Sequence, residues 1–230
     1  MSHSDRAPAR VRPGLPRYAD VAIAALGLLA GAPCLALAAA AIRLGSRGPV
    51  IYRQRRVGQH GAEFEMWKLR TMREGSDPVG VGTAVLAEDP RVTRAGRVLR
   101  RFSLDELPNL VNVLRGEMAI VGPRATLPAQ VALYTPRQRR RLELKPGVTG
   151  WAQISGRAGI SWERRIELDA WYAENRSLGL DLRIIASTPM AIVRGAGVAA
   201  GDPYAGSSEG SPMRQSAERD STPRDSTPSD

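Results

Sequence analysis

Two adjacent carboxylates, Asp105 and Glu106, lie in a strongly basic stretch near the middle of the 230-residue chain. The arginines around them are Arg100, Arg101, Arg115 and Arg124. Neighbouring carboxylates can divide a reaction, one acting as nucleophile or metal ligand and the other as acid or base, when surrounding charges separate their pKa values. Arginines offer permanent charge and bidentate hydrogen bonds to phosphate oxygens. The stretch is therefore a candidate active site for a phosphorylated substrate.

The same acids also have a purely structural interpretation. Ser103 and Glu106 have the spacing of a capping box, in which the serine caps an amide three residues on and the glutamate reaches back. Acids are also favoured at the positive end of a helix dipole. Pro108 weakens this interpretation, because a proline that deep in a regular helix leaves a backbone hydrogen bond unmade. From the residues alone, both interpretations stay open.

Further basic residues lie in short turns punctuated by glycine or proline, in the sequences WKLRTM, VGPR and ISGR. The candidate phosphate-binding residues are Lys68, Arg70, Arg100, Arg124 and Arg157. Each one alone is typical of an ordinary surface charge, and the group is more informative than its members. Neither a Walker-type GxxxxGK[ST] sequence nor a GxGxxG sequence is present. A phosphate would thus be held by side chains more than by a glycine-rich loop.

Composition narrows the classes of partner. The net charge of +10 suits a polyanion, whether nucleic acid, acidic lipid or a phosphorylated small molecule. The single Cys34 excludes an intramolecular disulfide, and two histidines cannot build a His-rich metal site. Any metal would be a hard ion held by carboxylates and phosphate, which favours Mg²⁺. Aromatic residues make up only 5%, too few for a surface that stacks single-stranded bases.

An uncharged segment over residues 21–42 is long enough to span the roughly 30 Å hydrocarbon core of a bilayer. Pro33 sits at its centre, where proline kinks or breaks a helix. Arginines flank the segment on both sides, whereas a helix that crosses the bilayer carries its basic excess on the cytoplasmic side. The pattern predicts a re-entrant helix–break–helix hairpin over 18–44. A single span and a cleaved signal peptide are the alternatives, the latter disfavoured by the long apolar region.

The remaining chain predicts a mixed α/β (α+β) catalytic domain over 45–200 with amphipathic helices at the membrane interface. The sequences PVIYRQRRVG and EFEMWKLRTM predict two strands joined by a glycine-containing turn, and MAIVGPR predicts a buried strand. Helices are expected in PRVTRAGRVLRRF, LPNLVNVLRG and ISWERRIELDAWYAENRS, after Thr135, and over 180–194 with an interruption at Pro189. Residues 1–17 and 201–230 predict a flexible basic terminus and a disordered tail, and 74–90 a loop.

Six motifs in order give the chain a resemblance to a known family. They are the Pro-interrupted apolar segment, GPVIYRQRRVG, WKLRTM, DPRVTRAGRVLRRFSLDELPNLVNVLRGEMAIVGPR, KPGVTGWAQISGR and ISWERRIELDAWY. Over residues 17–197 the sequence resembles the short form of the bacterial sugar transferases, the monotopic phosphoglycosyl transferases. These enzymes move a sugar-1-phosphate from a nucleotide-sugar to undecaprenyl phosphate. The chain departs from the family pattern at Ala119 and Ala125, where serine and proline are usual.

The resemblance implies a role for each candidate residue. Asp105 would attack the β-phosphate of a UDP-sugar, release UMP and hold a covalent phosphosugar, which the polyprenol phosphate then displaces. Glu106 would act as acid/base or organise the site, and Mg²⁺ would bind at Asp105. Phosphate or nucleotide binding would fall to Lys68, Arg70, Arg100, Arg124 and Arg157, and Asp169 in ELDAWY matches a further acid of the substrate site.

The resemblance also implies where the enzyme works. Its partners would be a UDP-sugar, undecaprenyl phosphate and inner-membrane lipid, with no nucleic acid. The catalytic domain would face the cytoplasm at the bacterial inner membrane and initiate polysaccharide or glycoconjugate synthesis. Two rival hypotheses treat the chain as a membrane-attached basic module that binds anionic lipid or nucleic acid without catalysis, or as a membrane scaffold. For either rival, Asp105 would be dispensable.

Overall fold

The computed structural model describes residues 12–76, 89–156 and 160–195. The predicted tail over 201–230, residues 77–88 of the predicted loop, most of the basic N-terminus and Arg157 lie outside these residues. Helices and strands are mixed within the described chain, which fits the predicted α+β class. The strands form two separate pairs, and the helices pack around them.

The apolar segment forms one helix, α1 (Arg17–Gly45), and Pro33 lies inside it. The helix is long and apolar enough to cross a membrane. The sequence predicted two helices that meet at a break, and this re-entrant detail is not confirmed. Most of the apolar surface of α1 faces outward. Its exposed large side chains are Tyr18, Val21, Ile23, Leu26, Leu29, Leu37 and Leu44.

The opposite face of α1 packs on the rest of the fold through small side chains. Ala24 is fully buried in the main core, and Ala38 is buried further along the helix. A Cβ atom placed on Gly27 would lie 2.9 Å from Leu110 Cδ1, so the helices approach closely at this point. We call the face formed by Ala24, Gly27, Gly31 and Ala38 the small-residue seam.

Both ends of α1 also contact the domain. Near the N-terminal end, the buried Asp20 accepts a hydrogen bond from the backbone N–H of Ile120 at 2.9 Å. Near the C-terminal end, Ile42 is buried in a cluster with Leu69 and Leu99. The helix therefore lies along the domain over most of its length.

An antiparallel hairpin follows, as the sequence predicted, with strands β1 (Ile51–Val57) and β2 (Glu63–Leu69). Its side chains alternate between two faces, as in any strand. Tyr52, Gln54 and Arg56 share the partly buried face. Arg53 and Arg55 lie on the exposed face, where they pair with Glu65 and Glu63.

Two of the predicted helices flank the carboxylate pair. Helix α2 (Arg94–Arg101) begins at Thr93, whose side chain accepts a hydrogen bond from the backbone N–H of Gly96. Helix α3 (Asn109–Arg115) ends at Gly116, whose φ of 84° suits glycine at a helix C-terminus. A 3₁₀ turn, Leu104–Glu106, lies between them.

A short parallel pair of strands forms the second sheet, β3 (Ala119–Val121) and β4 (Gly147–Thr149). The sequence predicted β3 but not β4, which has only three residues and lies between turns. Gly147 permits the pairing to continue into the VGPR turn, because a Cβ atom there would lie 2.1 Å from the backbone nitrogen of Gly122. The sheet therefore sets the position of Arg124, two residues beyond Gly122.

The C-terminal half is mainly helical. Helices α4 (Pro128–Ala132) and α5 (Pro136–Arg139) precede a 3₁₀ turn over Arg140–Glu143, and α5 begins at Thr135 as predicted. After β4 come α6 (Trp151–Ser155), α7 (Trp162–Asn175) and α8 (Leu178–Gly195). Helix α8 continues through Pro189, where the sequence predicted an interruption. The main core joins Met66, Val113, Met118, Tyr172 and Ile184.

Candidate active site

The carboxylate pair lies on the 3₁₀ turn and not on a capped α-helix. Ser103 has φ 56° and ψ 23°, a left-handed conformation, and its side chain makes no cap hydrogen bond. The capping-box interpretation is therefore wrong. Because the turn closes at Leu107, Pro108 immediately precedes α3 and its missing N–H breaks no helical hydrogen bond.

The leucines on either side of the acids rest on α1. Leu104 packs against the cluster that contains Ala38 and Ile42. A Cβ atom on Gly31 would be 3.6 Å from Leu107 Cδ1. The turn is thereby fixed on α1, close to Pro33.

Glu106 is held by two cations. Its Oε1 accepts hydrogen bonds from Lys68 Nζ at 3.0 Å and from Arg124 Nη2 at 2.7 Å. Burial alone would raise the pKa of Glu106, but Arg124 and Lys68 outweigh it and hold the pKa far below the ordinary range. Burial also lowers the pKa of Lys68, against the opposing charge of Glu106. Glu106 is thus ionised, and it holds the side chains of Lys68 and Arg124 in position.

Asp105, in contrast, has no hydrogen-bond or ion-pair partner within the described residues. It is partly exposed. Burial and the adjacent charge of Glu106 raise the pKa of Asp105, while Lys68, Arg100 and Arg124 oppose the rise. The carboxylate therefore lies among cations without being paired to any of them, which is the condition expected of a nucleophile or metal ligand.

The other predicted basic residues, Arg100 and Arg70, lie in different parts of the fold. Arg100 donates from Nε to Thr71 Oγ1 at 2.8 Å, within electrostatic reach of Asp105. Arg70 donates instead to the carbonyl and hydroxyl oxygens of Ser46, at 2.9 and 3.0 Å, beside the end of α1. Its side-chain hydrogen bonds therefore go to the residue that follows α1 and not to the carboxylate pair.

Asp169 lies behind Arg124. It is fully buried and pairs with Arg141, which is also buried. Asp169 Oδ2 accepts the backbone N–H of Arg124 at 3.2 Å, and Arg141 Nη2 donates to the Arg124 carbonyl at 2.7 Å. Tyr134 accepts another hydrogen bond from Arg141. Burial raises the pKa of Asp169, and Arg141 opposes that rise. The buried pair thus fixes the position of the Arg124 backbone through these two hydrogen bonds.

Three arginines of this region were missed by sequence reasoning: Arg56, Arg141 and Arg165. The alternation of β1 could have identified Arg56, because it shares a face with Tyr52, the partner of Lys68 in the hairpin. Arg165 precedes Asp169 by one helical turn, and its guanidinium lies 5.0 Å from the centre of the Trp162 ring. Burial and the nearby Arg124 lower the pKa of Arg165 to about 10. No local pattern indicated Arg141.

The side chains that are available as metal ligands can be compared with the coordination that the predicted Mg²⁺ requires. No group of three or more Asp, Glu, His or Cys side chains with metal-binding geometry occurs in the described ranges. Mg²⁺ commonly uses one or two carboxylates and completes its shell with water and substrate phosphates. The uncommitted Asp105 fits that pattern, whereas Glu106 is already engaged by two cations.

Comparison with known proteins decides the family. Residues 11–195 match the family model for bacterial sugar transferases, which is most of the chain. The chain belongs to the bacterial sugar transferase family. This sugar transferase is similar to EpsL of Bacillus subtilis, named as an uncharacterized sugar transferase, with 42% identity over 184 residues, 80% of this chain and 90% of the relative.

Two further relatives carry names that specify a reaction. The UDP-glucose:undecaprenyl-phosphate glucose-1-phosphate transferase of Caulobacter vibrioides is 44% identical over 196 residues, 77% of this sugar transferase and 73% of the relative. The undecaprenyl-phosphate galactose phosphotransferase of Salmonella typhimurium is 38% identical over 161 residues, 64% of this chain and 34% of the relative. The family membership predicted from the six motifs is confirmed, and the protein is an enzyme of the phosphoglycosyl transferase type.

Proposed function

We propose that this sugar transferase moves a sugar-1-phosphate from a UDP-sugar to undecaprenyl phosphate through a covalent intermediate on Asp105, releasing UMP. The names of its relatives support the substrates. The observation that carries the mechanism is the contrast within the acidic pair. Glu106 is ion-paired to Lys68 and Arg124, while the adjacent Asp105 lies among the same cations without a described partner.

In the first step, a carboxylate oxygen of Asp105 attacks the β-phosphorus of the UDP-sugar. A bond forms between that oxygen and phosphorus, and the bond from phosphorus to the bridging oxygen breaks. The bridging oxygen leaves with UMP, and the sugar phosphate stays on the enzyme as an acyl phosphate. Lys68 and Arg124 stabilise the negative charge that spreads over the phosphoryl oxygens.

In the second step, a phosphate oxygen of undecaprenyl phosphate attacks the same phosphorus. The bond from Asp105 to phosphorus breaks, the carboxylate is regenerated, and the sugar is left on a polyprenyl diphosphate. Arg100 is suited to the incoming lipid phosphate, because it lies within electrostatic reach of Asp105 on α2, a helix that packs against α1. Glu106 keeps Lys68 and Arg124 in place through both steps.

Mg²⁺ is part of the proposal, with Asp105 as its protein ligand and the donor diphosphate supplying further oxygens. When bound, the ion would neutralise charge on the diphosphate and on the leaving UMP. Asp169 is less suited to hold it, because that carboxylate is buried against Arg141. We expect the Arg141–Asp169 pair to orient Arg124 toward the substrate and not to bind metal.

The packing of α1 supports attachment to the membrane from one side. A helix of 29 residues is about 43 Å long, more than the roughly 30 Å hydrocarbon core. A straight crossing would carry Asp20 and Ile42 toward opposite faces of the bilayer, although both contact the same domain. Domain backbone packed along the helix would then lie at bilayer depth without water.

We therefore include the re-entrant path, with its turning point near Pro33, in the proposal. The exposed apolar side chains of α1 would face lipid, and the domain would sit at the cytoplasmic face of the bacterial inner membrane, where nucleotide-sugars are supplied. In this position the enzyme meets a water-soluble donor and an acceptor whose phosphate lies at the bilayer surface. The transfer would begin the assembly of a polysaccharide or glycoconjugate.

UMP release by the purified full chain in lipid nanodiscs tests the proposal. The assay contains undecaprenyl phosphate and Mg²⁺ with UDP-glucose, UDP-galactose and other UDP-sugars in turn. Asp105→Asn should abolish UMP release while circular dichroism and membrane association stay unchanged. Glu63→Gln, which removes an exposed carboxylate from the outer face of the hairpin, is the matched control.

The covalent step has its own signature. Without acceptor, the wild-type enzyme should release a burst of UMP equal to the enzyme concentration and gain the mass of one sugar phosphate. Chelation of Mg²⁺ with EDTA should suppress the burst. Normal turnover by Asp105→Asn would rule out Asp105 as the nucleophile. Absence of UMP release from the wild type with every UDP-sugar would favour a membrane-attached basic module without catalysis.

A further inference from the structure

Arg56 is a partly buried cation that the reaction above does not yet use. It lies near the end of β1, on the same face as Tyr52 and Gln54. Its Nε and Nη2 atoms donate to Gln54 Oε1 at 3.1 and 2.6 Å, and Nη1 donates to the carbonyl of Ala125 at 3.3 Å. These partners are neutral. Within the described chain, no carboxylate oxygen lies within 4 Å of the Arg56 guanidinium.

Arg56 is fixed beside Arg124. The Ala125 carbonyl that it contacts belongs to the residue after Arg124. The strand itself is joined to the same turn, because Val57 N–H donates to the Thr126 carbonyl at 2.9 Å. Each connection ends on a backbone carbonyl of this turn, so Arg56 is held next to the segment that carries Arg124.

The surroundings of Arg56 carry more positive than negative charge. Burial and the neighbouring charge of Arg124 lower the pKa of Arg56 to about 10, although Glu106 opposes the shift. Glu106 is already shared between Lys68 and Arg124. A partly buried guanidinium that has only neutral hydrogen-bond partners and a cationic neighbour is well placed to bind an anion, which would supply the missing counter-charge.

The position of Arg56 along the strand indicates which anion. Ile51 and its hairpin partner Leu69 pack in the cluster that includes Ile42 of α1, so the strand begins beside the membrane helix. Arg56 is five residues further on, about 16 Å along an extended strand. Arg100 is on α2, which packs against α1, whereas Arg56 is at the opposite end of β1 from the cluster that contains Ile42.

We propose that Arg56, supported by Gln54, binds the nucleotide phosphate of the soluble donor, the phosphate that leaves as part of UMP. This assignment rests on the proposed function. The β-phosphate must lie at Asp105 for attack, and the α-phosphate then follows it along the site, past Arg124 and toward Arg56. Arg56 thereby stabilises the leaving group, and the acceptor phosphate approaches from the side of Arg100.

The test measures UMP binding directly, by isothermal titration calorimetry on the full chain in nanodiscs, so that it requires no turnover. Arg56→Gln should weaken UMP binding by about tenfold to a hundredfold, the loss expected for a charge-assisted hydrogen-bonding partner. The KM for the UDP-sugar should rise in parallel, and the KM for undecaprenyl phosphate should stay within about twofold. Arg56→Lys, which keeps the charge, should recover part of the affinity.

Arg55→Gln is the matched control, because Arg55 is the adjacent residue on the exposed face and pairs only with Glu63 among the described residues. It should bind UMP like the wild type. Unchanged UMP binding in Arg56→Gln would overturn the proposal, as would a rise confined to the KM for undecaprenyl phosphate, which would assign Arg56 to the lipid phosphate. If Asp105→Asn retained turnover while Arg56→Gln lost UMP affinity, the covalent mechanism would fail and the nucleotide site would stand.

Discussion

The Nη2 atom of Arg124 lies 2.7 Å from Oε1 of Glu106, while the backbone N–H of Arg124 is bound by Asp169 at 3.2 Å. Arg124 thus links the carboxylate pair at the surface of the site to a buried ion pair behind it. The side chain neutralises one acid, and the backbone is held by another. The two adjacent acids therefore differ in their ion pairing, because Arg124 forms an ion pair with Glu106 and not with Asp105.

Replacing Glu106 with glutamine should change the pH dependence of the reaction. Asp105 must be ionised to attack, and its pKa is raised by burial and by the charge of Glu106. Removing that negative charge should lower the pKa of Asp105, so the acidic limb of the kcat/KM profile should move to lower pH. The maximal rate should fall by about 10²-fold, because Lys68 and Arg124 lose the group that organises them.

The profile is measured from UMP release with a saturating acceptor, and Glu63→Gln serves again as control. An acidic limb that stays in place or moves to higher pH would contradict the assignment of Asp105 as the titrating group.

Asp169→Asn should destabilise the fold and weaken catalysis together. The substitution leaves Arg141 buried without its counter-charge, which typically costs about 3–5 kcal/mol of unfolding free energy. It also weakens the hold on the Arg124 backbone, so the KM for the UDP-sugar should rise in the fraction that stays folded. Urea unfolding monitored by tryptophan fluorescence and initial rates give the two quantities.

Glu167→Gln on the same helix is the comparison, because Glu167 pairs with the exposed Arg137. A surface pair of this kind contributes at most about 1 kcal/mol. If Asp169→Asn matched Glu167→Gln in both stability and KM, the buried pair would have no role in positioning Arg124.

Gly27→Leu should loosen the small-residue seam. A side chain there would collide with Leu110, since even its Cβ atom would lie 2.9 Å from Leu110 Cδ1. Overpacking of this kind costs about 1–3 kcal/mol, which corresponds to a fall in Tm of about 4–8 °C at the middle of that range. Gly45→Leu provides the control on the same helix, because nothing lies within 4 Å of a Cβ atom at that position. Equal Tm values for the two variants would show that α1 does not pack on α3 at Gly27.

Labelling of single cysteines should locate both ends of α1 on one side of the membrane. Cys34 is first replaced by alanine, and cysteine is then introduced at Arg12 or at Arg47. In sealed inside-out vesicles, where the cytoplasmic face is outermost, a membrane-impermeant maleimide should label both variants. Labelling of only one variant in inside-out vesicles and only the other in right-side-out vesicles would establish a simple span.

Local signals made much of the fold predictable. The alternation in IYRQRRV, Thr135 followed by Pro136, and Gly116 after a helical run each reflect short-range physics, and the structure contains the corresponding hairpin, cap and helix end. The capping-box interpretation failed because Ser103 adopts a left-handed conformation, which the sequence SLDE does not reveal.

The parts that could not be predicted depend on distant contacts. Strand β4 exists because Gly147 meets Ala119, and a run of three residues has no periodicity of its own. Arg141 pairs with Asp169 on another helix, although its neighbours in RQRRRLEL are equally basic. In the active site, Lys68, Glu106 and Arg124 were predicted from the sequence. Arg56 was not predicted, because its role depends on which face of β1 lies toward the site.

The small-residue seam has a consequence for how the enzyme is made. Ala24 belongs to the same buried core as Val113 and Tyr172, so the membrane helix forms one wall of the catalytic domain. Helix α1 is synthesised before the strands and helices that pack on it. It can therefore contact lipid before those elements have formed. If α1 enters the bilayer as proposed, maturation of the catalytic centre is coupled to that insertion, and a chain that missed the bilayer would expose the apolar outer face of α1 to water.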